Sequence, residues 1–110
     1  MINVVYKPQE LTVFVTGHAG AAEKGKDIVC AAVSMLVYTL ANAVELHSEL
    51  YKDSCIDLAE GAAKIQCVPR RCKKDSAMAV FDAICQGFYL AESAYPENVR
   101  VTVALGIEKS

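Results

Sequence analysis

At 110 residues and 54% hydrophobic content, the chain has the size of one domain with one core, so we predict a single domain over residues 1–110. A net charge of −2 and a pI near 5.6 exclude a general attraction to nucleic acid or anionic membrane. Any basic contact would have to be local, and neither membrane association nor direct nucleic-acid binding is expected. Five cysteines without a secretion-type leader predict reduced thiols in a cytoplasmic protein. Three of them, Cys55, Cys67 and Cys85, are predicted to pack inside from strands or a helix.

The N-terminal region predicts a hairpin followed by a loop. Residues 2–6 and 11–16 are rich in β-branched and aromatic residues, which favours two antiparallel strands joined at residues 7–10. Residues 17–26 contain three glycines and show no apolar period, which predicts a mobile loop.

A long apolar helix is predicted next, with Asp27 as its N-cap and its end near Ser48. Its apolar residues keep helical spacing on one side, and Ile28, Met35 and Tyr38 make the opposite side apolar as well. Polar residues interrupt the run, so a buried helix is a better interpretation than a membrane span. We expect a sheet to cover one face and a partner subunit to cover the other.

The C-terminal half predicts two strands at 51–58 and 62–68, then a basic loop at 69–74. A second helix follows, with Asp75 or Ser76 as its cap.

Residues 99–103 alternate between valine and other residues, which predicts a fifth strand. The order is ββαββαβ, an α+β fold with two helices packed on a largely antiparallel five-stranded sheet.

Cys30 and His18 are the candidate nucleophile and base. In a helix capped by Asp27, Cys30 is the third residue, where unpaired N–H groups and the helix dipole would stabilise a thiolate and an oxyanion. His18 precedes it by twelve residues across the loop, and Asp27 could orient His18 or serve only as the cap. Spacing alone does not decide this, because a buried structural cysteine and a solvated histidine are commoner. No CxxC pair is present, and neither a metal nor another cofactor is expected.

A phosphate-loop pattern overlaps the same stretch. Residues 20–26 fit GxxxxGK. Asp27 stands where that motif needs Ser or Thr, and the preceding strands are predicted to be antiparallel, so nucleotide binding is disfavoured.

The motif Gly17-His18-Ala19, then Gly25, then residues 27–34 as Asp-Ile-Val-Cys-Ala-Ala-Val-Ser, resembles the bacterial ribosomal-processing cysteine proteases. The similarity extends to the first hairpin, the second helix and residues 95–99, which covers nearly the whole chain. Lys24 stands where relatives often carry an aromatic residue.

The resemblance implies a homodimeric endopeptidase that removes the N-terminal extension of a large-subunit ribosomal protein near a Phe-Phe pair. It implies that His18 and Cys30 are catalytic and that Asp27 is the motif aspartate. It also implies that the loop is a mobile cover over the substrate, with the small residues Gly17, Ala19, Gly20 and Gly25. Two other hypotheses stay open: a non-enzymatic dimeric ribosome-assembly factor, and a redox-sensing thiol protein.

Overall fold

A computed structural model describes residues 1–17 and 24–105 of the chain, with the side chains of the first helix described from residue 28 onward. The described chain forms β1 (Ile2–Lys7), β2 (Thr12–Gly17), α1 (Lys24–Leu46), β3 (Tyr51–Ala59), β4 (Ala62–Pro69), α2 (Lys74–Ala94) and β5 (Val99–Val103). Short 3₁₀ helices lie at Pro8–Glu10, Ser48–Leu50 and Arg71–Lys73. The predicted ββαββαβ order and α+β fold are confirmed.

The five strands form one sheet in the order β3-β4-β2-β1-β5. Every neighbouring pair is antiparallel except β1 and β5, which run parallel. At one end of the sheet Ile2 pairs with Gly17 and Thr16 pairs with Ala62. At the other end Tyr51 pairs with Pro69. The two ends of the sheet therefore carry different groups.

The core lies between the two helices and one face of the sheet. The buried residues of α1 recur every three or four positions and form a single stripe: Val29, Val33, Val37, Leu40, Ala41 and Val44. α2 contributes Ala77, Phe81, Cys85, Phe88 and Ala91, and alternate residues of the strands complete the interior. Burying each large aliphatic or aromatic side chain stabilises the fold by about 1.5–3 kcal/mol.

The two helices approach closely at Gly87 of α2. A Cβ atom at this position would collide with the side chain of Leu36 on α1. The absence of a side chain at Gly87 therefore sets the distance between the helices, and its neighbours Phe88 and Cys85 pack fully inside.

Both predicted helix caps are wrong. α1 begins at Lys24, so Asp27 is its fourth residue rather than its N-cap. One glycine, Gly25, costs a helix only about 1 kcal/mol, which tertiary packing of the long apolar stripe offsets. α2 begins at Lys74 after Lys73, which makes no side-chain capping bond, and Asp75 instead lies in the first turn, where its charge suits the helix dipole.

The outer face of α1 carries the exposed apolar residues Ile28, Met35 and Tyr38. Residues 28–46 are long and apolar enough, by length and composition, to cross a membrane, and a third of that stretch is buried inside the domain. Packing inside the domain accounts for this buried third. It does not account for the apolar residues on the exposed face.

Candidate active site

A groove of about 390 Å³ lies at the end of the sheet where β1 begins and β2 ends. One wall is the first half of α1, with Cys30, Ser34 and Tyr38. The other wall is the tip of the β3–β4 hairpin, residues 58–63, and Ile2 and Val15 lie between the two walls. A volume of this size is typical of sites that enclose a ligand or a few side chains of a peptide.

Cys30 faces this groove and is half-buried, with its inner side packed against the core. It is the seventh residue of α1, not the third as predicted. Its own amide therefore lies inside the helical hydrogen-bond ladder, and the unpaired amides of residues 24–27 lie about 4.5–9 Å further along the axis. The prediction that helix-end N–H groups surround the thiol is wrong for this conformation.

Gly17 closes the end of β2 next to the groove. Its φ angle is +95°, its N–H donates to the carbonyl of Gly61 at 3.0 Å, and an added Cβ would collide with the carbonyl oxygen of Met1. Only glycine fits such a position without strain. Gly17 is thus a residue of the sheet. The prediction that it belongs to the mobile loop is wrong.

The other predicted site residues fall in two groups. His18, Ala19 and Gly20 lie outside the described residues. Gly25 belongs to α1 rather than to the predicted loop, and Asp27, predicted as the N-cap, lies inside α1 one helical turn before Cys30. What the structure brings together is Cys30 and the residue that directly precedes His18, Gly17.

The hairpin tip supplies groove residues that sequence reasoning missed. Leu58 lines the groove and is 41% exposed, and the exposed Glu60 puts a carboxylate at its rim. Both come from a hairpin almost thirty residues after Cys30, and no local pattern could place them beside α1. The alternation of side chains along β3 places Leu58 on the helix side of the sheet. This alternation is the one sequence signal that could have predicted a contact between Leu58 and the groove.

The remaining thiols have different surroundings. Cys67 and Cys85 are buried, as predicted, and burial raises the pKa of each to about 12, with Asp53 adding to the effect at Cys67 and Asp82 at Cys85. Cys72 is exposed in the basic loop. Cys55, predicted to pack inside, is exposed because it lies on the edge strand β3 with its side chain on the sheet face away from the helices.

No two of the five cysteines are joined. Among the residues that the structure describes, no group of three His, Cys, Asp or Glu side chains is arranged to hold a metal ion.

A family model described as cysteine protease Prp matches residues 1–100. No curated protein is similar enough to count as a relative.

Nine chains of solved structures match this one, among them the following three. SMU.848 from Streptococcus mutans is 29% identical, with a TM-score of 0.69 over 94% of this chain and 92% of that one. The ribosomal processing protease Prp from Staphylococcus aureus with a covalently linked product peptide is 24% identical, with a TM-score of 0.70 over 94% and 97%. The same protease with a substrate peptide is 22% identical, with a TM-score of 0.69 over 94% of this chain and 97% of that one.

Proposed function

Because this chain belongs to the cysteine protease Prp family, we propose that it is the peptidase that trims the N-terminal extension of a large-subunit ribosomal protein near a Phe-Phe pair. The observation that carries the proposal is the half-buried thiol of Cys30 facing a peptide-sized groove beside Gly17, the residue that precedes His18. The solved Staphylococcus aureus protease of the same fold holds a substrate peptide in one structure and a covalently linked product peptide in another.

In the proposed mechanism, the thiolate of Cys30 attacks the carbonyl carbon of the scissile bond, and His18 takes up the thiol proton. The tetrahedral intermediate collapses when His18 returns that proton to the leaving amine, which leaves an acyl group on the Cys30 sulfur. Water, deprotonated by His18, then hydrolyses the thioester and restores the thiol. Asp27, one turn before Cys30, is proposed to orient His18.

The groove suits an apolar substrate segment. Val33 and Val37 on α1 and Leu58 on β3 give it apolar walls, and Ser34 and Glu60 are among the residues that give it polar surface of similar extent. Aromatic side chains gain most from burial against such walls, so a Phe-Phe pair is a substrate that this groove would select. Ala19 and Gly20 are proposed to belong to a segment that covers the bound peptide and excludes water.

We propose that the enzyme acts as a homodimer in the cytoplasm. The outer face of α1 supports this, because Ile28, Met35 and Tyr38 are each more than half exposed. A second copy would bury them. Met35→Glu should shift the mass measured by light scattering from dimer to monomer, while Thr102→Glu, on the open face of the sheet, should not; a wild-type monomer would refute the dimer.

The test of the peptidase is cleavage of a ribosomal-protein N-terminal peptide that contains a Phe-Phe pair, with products identified by mass spectrometry. We expect one cut by the wild type, none by Cys30→Ala, and a rate reduced about 10²–10⁴-fold in His18→Ala. Cys55→Ala is the matched control, because it removes an exposed thiol outside the groove. Asp27→Asn tests whether Asp27 orients His18. An unchanged cleavage rate in this variant would show that it does not.

Cleavage by Cys30→Ala at the wild-type rate would overturn the assignment of the nucleophile. Binding of the peptide by wild type and Cys30→Ala alike, with no cut by either, would favour the alternative of a non-enzymatic assembly factor.

A further inference from the structure

Residues 70–74, hereafter the basic segment, carry Arg70, Arg71, Lys73 and Lys74, four of the chain's 11 lysines and arginines. All five residues of the segment are exposed. The rest of the chain has seven basic residues against 13 carboxylates, so it is acidic. Positive charge is concentrated at one place on a protein that is otherwise negative.

The basic segment is not neutralised by the protein itself. Among the described residues, the ion pair found joins His47 to Glu49 at 3.7 Å, and none involves the basic segment. The segment leads into α2, where Asp75 in the first turn offsets the positive end of the helix dipole, so the available positive charge is that of the four side chains themselves. Four exposed cations therefore keep their charge available for a partner.

The basic segment lies at the end of the sheet opposite the groove. β4 begins at Ala62, which lines the groove, and ends at Pro69, next to Arg70. Seven residue steps in an extended strand span about 23 Å. A macromolecule bound at the basic segment would leave the groove and Cys30 open.

In contrast to the expectation drawn from the net charge of the whole chain, we propose that the basic segment binds the phosphate backbone of RNA. Arginine guanidinium groups pair with phosphate oxygens through two parallel hydrogen bonds, and adjacent cations match the repeated charges of a nucleic-acid strand. A protein partner is a poorer fit, because the segment has no aromatic or large aliphatic side chain for the apolar centre of a protein interface. RNA held at this end would keep the peptidase beside ribosomal RNA, a consequence that rests on the proposed function.

The test is fluorescence anisotropy of a labelled 20-nucleotide single-stranded RNA with the full chain over a range of salt concentrations. The variant is Arg71→Gln/Lys73→Gln, and the control Lys64→Gln/Arg100→Gln removes the same two charges from the open face of the sheet. Wild type and control should bind with the same salt dependence. The variant should bind more weakly, and the slope of log K against log salt should fall by about 1.4, at about 0.7 per lost phosphate contact.

Equal affinities and slopes for variant and control would overturn the proposal, as would absence of RNA binding by the wild type at low salt. Tighter binding of polyglutamate than of RNA would also overturn it, in favour of an acidic protein surface. Both double variants should cleave the peptide at the wild-type rate, and Cys30→Ala should bind RNA normally. RNA binding and peptidase activity can thus fail separately.

Discussion

Cys85 and Cys30 lie on the two helices that pack against the same face of the sheet, but their surroundings differ. Cys85 is enclosed between α2 and the sheet, where burial raises the pKa of its thiol to about 12. Cys30 lies in the first half of α1, with one side against the core and one side facing the groove. The interior and the groove end therefore give the same residue type different access from solvent.

This contrast supports the proposal that the nucleophile of this small domain lies at the boundary of its core. Packing on one side holds the thiol in place, and the groove gives a substrate access from the other. If the contrast holds, the interior should exclude reagents and water, and the groove end should admit them.

The largest expected effect is on alkylation of the buried thiols. A rise in pKa from 9.0 to about 12 lowers the thiolate fraction of Cys67 and Cys85 about 10³-fold below pH 9, and burial blocks the reagent further. Iodoacetamide should therefore modify these two cysteines at least about 10³-fold more slowly in the folded chain than in urea, as measured by peptide mass mapping. Cys30 should show a much smaller ratio. Equal rates for Cys85 in both states would mean that the interior opens readily.

A substitution at the contact between the helices should reduce stability without touching the groove. Gly87→Ala places a methyl group against Leu36 and should lower the free energy of unfolding by about 1–3 kcal/mol, measured by urea denaturation. In a Leu36→Ala background, Gly87→Ala should lower the free energy of unfolding by less, because the shorter side chain at position 36 leaves room for the added methyl group. Equal costs in both backgrounds would show that Gly87 is needed for another reason.

High pH should destabilise the interior in a way that Tyr51 can test. Burial raises the pKa of its phenol to about 12 from an ordinary 10.0, and among the described residues its hydroxyl has no hydrogen-bond partner. The unfolded chain loses this proton first, so the free energy of unfolding should fall by about 1.4 kcal/mol per pH unit between pH 10 and 12. Cys67 and Cys85 add similar slopes from pH 9.

Tyr51→Phe should remove the Tyr51 contribution while leaving stability at pH 7 unchanged or higher, because no hydrogen bond is lost. Tyr6→Phe is the control: it removes the hydrogen bond from the Tyr6 hydroxyl to Asp82 and should destabilise the chain at pH 7. An unaltered pH profile in Tyr51→Phe would show that this phenol does not stay protonated in the folded state.

The interior was more predictable from the sequence than the groove end. Apolar residues at helical and strand spacing are local patterns, and they gave all seven elements because each element buries one face. Helix starts were misplaced because Asp27 and Asp75 look like caps, whereas α1 begins at Lys24 and α2 at Lys74. Local patterns encode helix ends only weakly, so a cap-like residue can lie inside the first turn.

The groove depends on long-range pairing. Cys30 was identified by the resemblance of its motif, but no pattern in the sequence brings Leu58 and Glu60 against α1. Their position follows from β4 pairing with β2, which carries the β3–β4 hairpin tip to the end of the sheet where Gly17 lies. Such pairing is set by the whole fold rather than by the residues near it in the chain.

The smallest effect that we expect separates substrate contact from folding at the groove end. Leu58 is already 41% exposed, so Leu58→Ala should change the free energy of unfolding by less than about 1 kcal/mol. It should nevertheless lower kcat/KM for the Phe-Phe peptide by up to about tenfold, because an apolar wall of the groove is lost. Val103→Ala, which shortens a similarly exposed side chain on β5, should leave kcat/KM unchanged. If both variants cleave equally well, the peptide does not lie against the hairpin tip, and the substrate must follow α1 alone.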